Sequence, residues 1–82
     1  MARMSARFVA QQIGMSVKCV YEIWNDMGLV IKDKFGDWAL TDLGRQNGGR
    51  MSQGNRLPVP TFELETIEKM MIDFLNHHKK SN

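Results

Sequence analysis

The stretch from Ser5 to Gly28, SARFVAQQIGMSVKCVYEIWNDMG, decides the fold. Ser5 is placed to cap a short helix over residues 6–13, because its hydroxyl can accept from a first-turn amide that has no partner inside the helix. Phe8, Val9 and Ile13 supply an apolar side, and Gly14 breaks the helix. Ser16 is a second N-cap. From Val17 to Met27 the residues Val17, Val20, Trp24 and Met27 fall at i, i+3, i+7 and i+10, a helical period. Gly28 ends this second helix, where glycine tolerates a left-handed backbone. Two helices therefore follow each other across the three residues Gly14, Met15 and Ser16.

A helix, a tight break and a second helix of about three turns form the pattern of a helix-turn-helix. In that motif a small residue in the first helix admits the second, a glycine opens the turn, and apolar residues of the second helix hold it against the first. Ala10, Gly14, Val20 and Ile23 match those roles, at separations of four, six and three.

Working outward, Leu29-Val30-Ile31 predicts a strand by β-branching and length, Asp33-Lys34-Phe35-Gly36 a turn, and Trp38-Ala39-Leu40 a returning strand. A hairpin directly after the second helix turns the helix-turn-helix into a winged one. Thr41 caps a short helical turn through Gly44. Residues 45–60 carry Gly48, Gly49, Gly54, Pro58 and Pro60 and read as irregular or as a second hairpin, with 49–52 and 57–59 extended around Gln53-Gly54-Asn55. From Thr61 the pattern predicts a helix over 62–78, with Glu63, Glu65 and Glu68 early and His77, His78, Lys79 and Lys80 late, the charge order that complements a helix dipole. Its apolar stripe is Leu64, Ile67, Met71, Phe74 and Leu75. The expected fold is mainly α with a small β hairpin (α+β): one winged helix-turn-helix domain over residues 1–82 with a C-terminal helix.

Composition agrees with one small domain. The 82 residues are 43% hydrophobic, 24% charged and 9% aromatic, an ordinary globular profile. A chain this short buries only roughly 60% of its unfolded surface, so a partner, metal or disulfide commonly supports it. The single cysteine, Cys19, excludes an internal disulfide and reads as a small, partly buried side chain. No apolar run exceeds three residues, which predicts neither a membrane span nor a signal segment and points to the cytoplasm. Only four residues precede Ser5, too few for an N-terminal helix that would buttress the motif. The C-terminal helix is left to cover the apolar face, within the chain or as the seam of a homodimer.

At this point the sequence resembles known families. Met27-Gly28-Leu29-Val30, the Gly-containing turn, and Trp38-Ala39-Leu40-Thr41-Asp42-Leu43-Gly44-Arg45 are similar to the helix end, wing and LTxxGR segment of bacterial winged-helix regulators. Gly48-Gly49-Arg50-Met51 and Pro60-Thr61-Phe62 resemble the C-terminal domains of phage antirepressors of the KilA-C type. The resemblance implies a cytoplasmic transcription regulator of phage or prophage type that binds duplex DNA, or a phage-encoded module that binds a phage or host protein.

On DNA, the helix at 17–27 would lie in the major groove. Ser16 and the first amides of that helix suit a phosphate. Lys18 suits a phosphate or guanine, Asn25 adenine, and Tyr21 a stacked base or a phosphate. Lys32 and Lys34 near the wing tip, with Arg3 and Arg7 at the start of the first helix, suit the flanking backbone. Glu22 on the same face opposes tight binding. Net charge is only +2, with three cations against two acids in residues 1–28, four against three in 29–50, and four each in 51–82. Partner-binding candidates are Arg45, Arg50 and Arg56, together with Leu64, Ile67, Met71 and Phe74. Seven methionines make adaptable surfaces that favour the protein-binding reading. His77 and His78, diverging by about 100° on a helix, suit a metal chelate poorly. No phosphate loop, nucleophile elbow or zinc-protease motif is present, so neither an enzyme nor a cofactor is expected.

Overall fold

The computed structural model describes residues 3–52 and 57–80, the last three of these by backbone alone. The chain runs β1 (Arg3–Ser5), α1 (Ala6–Ile13), α2 (Val17–Asp26), β2 (Val30–Lys32), β3 (Trp38–Leu40), α3 (Asp42–Gln46), β4 (Arg50–Met51), β5 (Pro60–Glu63) and α4 (Leu64–Lys80). The described residues form a small α+β fold with four helices and two antiparallel sheets.

The α1–α2 pair forms as its pattern dictates. Ala6, Val9 and Ala10 are buried and Ile13 packs against the core, which is the i, i+3, i+4, i+7 face of α1. Phe8 lies off that face and is 54% exposed, a correction to its expected core role. Gly14 closes α1 with a left-handed φ of 75°, its amide donating to the Ala10 carbonyl. The Ser16 hydroxyl caps α2, accepting from the Cys19 amide at 3.1 Å. Ser5 holds the N-cap position of α1 without a side-chain cap bond, because it is the last residue of β1 and pairs with Thr61. Val20, Ile23 and Trp24 bury the inner face of α2.

The β2–β3 hairpin pairs Val30 with Leu40, Ile31 with Ala39 and Lys32 with Trp38. Val30 and Leu40 point to the core, one residue later on the first strand than the expected 29–31. Thr41 joins the hairpin to both neighbours: its hydroxyl donates to the Gly28 carbonyl and accepts from the Gly44 amide at 3.0 Å, capping α3. Gly44 sits against Leu29 so closely that a Cβ there would fall 2.2 Å from the Leu29 carbonyl oxygen. This close approach is the physical reason for glycine at position 44.

The second sheet holds the largest departures from expectation. Residues 60–63 are the central strand β5, paired with β1 on one side (Met4 with Phe62) and β4 on the other (Arg50 with Thr61), so α4 begins at Leu64 rather than 62. Thr61 does not start a helix. It is buried, and its hydroxyl donates to the Arg50 carbonyl at 2.8 Å. The expected loose hairpin exists as β4–β5, extended by a bond from the Ser52 amide to the Val59 carbonyl. Its turn at 53–55, and Arg56, lie outside the described residues.

These elements enclose one core around Trp24. Its ring meets Phe62 edge-on at 4.9 Å, and its indole N–H donates to the Met71 sulfur at 3.3 Å. Ile67 and Met71 are 0% and 2% exposed within the chain, and Leu64 and Phe74 pack against the same cluster. The stripe weighed as a dimer seam is thus the lid of the chain's own core, which corrects the assignment of Ile67 and Met71 to a partner.

Candidate nucleic-acid interface

The exposed side of α2 is bordered by two grooves. One, about 570 Å³, lies between α2 and the hairpin and is lined by Val17, Lys18, Tyr21, Glu22, Lys32 and Trp38. The other, about 550 Å³, lies toward α1 and is lined by residues including Arg7, Phe8, Val17, Tyr21 and Leu57. Val17 and Tyr21 border both, so they mark the ridge between them. Lys18 and Lys32 face one groove and Arg7 the other, while Lys34 sits on the hairpin turn with its ammonium 5.3 Å from the Phe35 ring. Of the residues expected to meet DNA, Arg3, Arg7, Ser16, Lys18, Asn25, Lys32 and Lys34 are exposed and Tyr21 is half-buried.

Ser16 both caps α2 and stands at its open end. The amides of Val17 and Lys18, ahead of the capped Cys19 amide, have no acceptor inside the helix. With the dipole of the ten-residue helix, that end is favourable to an anion.

Three expected contacts are engaged within the fold. Asn25 donates from Nδ2 to the Val30 carbonyl at 2.9 Å, tying α2 to β2. That bond holds the exposed Asn25 side chain toward the hairpin, and its pairing with adenine would require the amide to turn to a base edge. Arg3 donates from its guanidinium to the Gly48 carbonyl at 2.8 Å, joining β1 to the loop after α3. Tyr21 is half-buried and stacked on Trp38, with centroids 5.0 Å apart and planes within 6°. It meets Trp24 edge-on at 5.9 Å. Burial raises its phenol pKa above the ordinary value.

Trp38 and Phe35 escaped the sequence reading. Trp38 carries Tyr21 on one side, and the Lys32 ammonium lies 5.3 Å from its ring centroid, a cation–π contact that holds the lysine beside α2. The hairpin register would have found it, since pairing Val30 with Leu40 sets Lys32 opposite Trp38. Glu22 faces the same groove as both lysines and opposes phosphate there. Arg45 and Arg50 are exposed on α3 and β4. His77 bonds through Nδ1 to the Asp73 carbonyl of its own helix. The His78 side chain lies outside the described residues.

Among the described residues, no three His, Cys, Asp or Glu side chains are gathered to hold a metal, and no helix is long and apolar enough to cross a membrane. Comparison with known proteins finds no matching family model, curated protein or solved structure.

Proposed function

We propose that this chain is a small DNA-binding regulator of phage or prophage type, a winged helix-turn-helix whose α2 enters the major groove while the β2–β3 wing lies on the flanking backbone. The observation that carries the reading is the placement of Arg7, Lys18 and Lys32 along the two grooves beside the capped, exposed end of α2, with Lys34 beyond them on the wing. Each cation that meets a phosphate releases counterions, which gives affinity without sequence preference. Sequence selection then falls to Glu22, a carboxylate suited to a cytosine amino group. Tyr21, Trp38 and Asn25 fix the angle between helix and wing. With four cations offset by Glu22, affinity for a single site is modest.

The test is fluorescence anisotropy with a mixed-sequence duplex at low salt. Binding that weakens as salt rises, and that is weaker and less salt-dependent in a Lys18→Ala/Lys32→Ala double variant with unchanged fold, supports the reading. No binding to duplex DNA at low salt refutes it.

A second reading, an antirepressor-like or host-factor-inhibiting module that binds protein, draws on the apolar rim of the α1-side groove. Phe8 is 54%, Val17 39% and Leu57 56% exposed there. Exposed apolar side chains grouped on one groove favour a protein contact. Failure to recover a stable partner from host lysate counts against it.

A further inference from the structure

We infer that Phe35 is a wedge residue: the wing tip inserts its ring between neighbouring base pairs from the minor groove and bends the duplex. The inference rests on the DNA-binding reading and adds to it a specific contact and a consequence for the DNA.

Phe35 is 78% exposed, the most exposed large apolar side chain among the described residues. Isolated exposed apolar residues are common and need no explanation. What distinguishes this one is the rigidity and position of its support. Asp33 organises the whole turn: its Oδ1 accepts from the amides of Phe35 at 2.8 Å and Asp37 at 3.0 Å. Its backbone carbonyl accepts from Gly36 at 3.0 Å, and its own amide donates to the Asp37 carbonyl at 2.8 Å. Four hydrogen bonds to one residue fix the backbone of the turn, so little backbone freedom is lost on binding.

Two three-residue strands, at about 3.3 Å per residue, carry this turn roughly 10 Å beyond Val30. The Lys34 ammonium lies over the face of the ring, 5.3 Å from its centroid, and must swing off that face for the ring to stack on a base, while Lys32 stands at the root of the turn. Lys32 and Lys34 are balanced in this turn by Asp33 and Asp37, so the feature that suits a stacked base step is the exposed ring itself: apolar side chains of this size wedge between steps, unstack them and kink the duplex toward the major groove. Pyrimidine–purine steps, TpA above all, open most easily and are the expected sites.

The experiment uses the full chain and a short duplex of alternating TpA steps, with 2-aminopurine replacing adenine so that unstacking raises fluorescence. Binding is followed separately by anisotropy. Wild type and Phe35→Leu, which keeps an apolar wedge, should raise the fluorescence at least about twofold at saturation. Phe35→Ser should bind about tenfold more weakly, leave the fluorescence at the free-duplex level, and keep the salt dependence of wild type, because its phosphate contacts remain. Circular dichroism should show all three melting alike, since Phe35 is outside the core. If Phe35→Ser binds and unstacks as wild type does, the wedge is refuted and the tip is left to a protein contact. If wild type binds the duplex without any fluorescence change, the wedge is likewise refuted while DNA binding stands. If wild type binds no duplex at low salt, both fail together.

Discussion

Replacing Gly44 by alanine should weaken the fold at the base of the β2–β3 hairpin. In the interior of an exposed helix this change would stabilise by about 1 kcal/mol. Here the added Cβ would lie 2.2 Å from the Leu29 carbonyl oxygen and 3.1 Å from both the Leu29 carbonyl carbon and a Leu40 methyl. Ordinary contact begins near 3.4 Å, so backbone must move by about an ångström. The Leu29 carbonyl is also the acceptor for the Thr41 amide at 3.1 Å, and moving it strains that bond. Overpacking of this kind costs about 1–3 kcal/mol, the backbone-to-Cβ clash places it at the upper end, and a weakened hydrogen bond adds up to about 1. After subtracting the helix-propensity gain, the expected loss is about 2–3 kcal/mol, or roughly 10–20 °C in Tm for a domain of this size. Thermal and urea denaturation followed by circular dichroism measure it. A Gly44→Ala protein melting at or above the wild-type temperature would refute the close docking of α3 on Leu29.

Met71→Ala should cost about 3 kcal/mol by opening a cavity beside Trp24 and removing the acceptor of its indole N–H, whereas Met71→Leu should cost about 1. Because α4 closes the chain's own core, the Tm of both should be independent of protein concentration; a Tm that rises with concentration would return the stripe to a dimer. Glu22→Gln should tighten duplex binding several-fold at low salt and less at high salt, as removal of a negative charge between Lys18 and Lys32 requires; unchanged affinity in a salt titration would place DNA elsewhere. Tyr21, the one tyrosine, should ionise above the ordinary value of about 10 in the folded protein and return to it in denaturant, as read by phenolate absorbance. Since its folded pKa is raised, the stability it contributes is intact below about pH 10 and lost as pH climbs through the folded value.

The parts of the fold legible in the sequence were those written locally. Ala10, Gly14, Val20 and Ile23 carry a period and a break that short-range geometry reads directly, and all of them occupy the expected places between α1 and α2. The second sheet was not legible in that way. Arg3 pairs with Glu63, sixty residues away, and three residues of β1 carry no pattern of their own. Thr61 followed by early glutamates imitates a helix start. The competing signal was the alternation Pro60, Thr61, Phe62, in which the proline sits at the first strand position and the phenylalanine goes to the core. For the candidate interface, residue type identified the cations, and they are exposed. The bonds of Asn25 to Val30 and of Arg3 to Gly48 were not legible, because they depend on where the hairpin and the loop after α3 return. Phe35 carried a signal that went unused: a large aromatic inside a Lys-Phe-Gly turn has no core within reach.

The most direct measurement of DNA binding through this face is the salt dependence of affinity for duplex DNA, in wild type and in the Lys18→Ala/Lys32→Ala variant. With Arg7, Lys18, Lys32 and Lys34 each meeting one phosphate, log K should fall against log salt with a slope of about −3 to −4. The double variant should bind more weakly with a slope reduced by about 2. A wild-type protein that ignores duplex DNA at low salt, or a variant whose slope and affinity match wild type, would contradict the account.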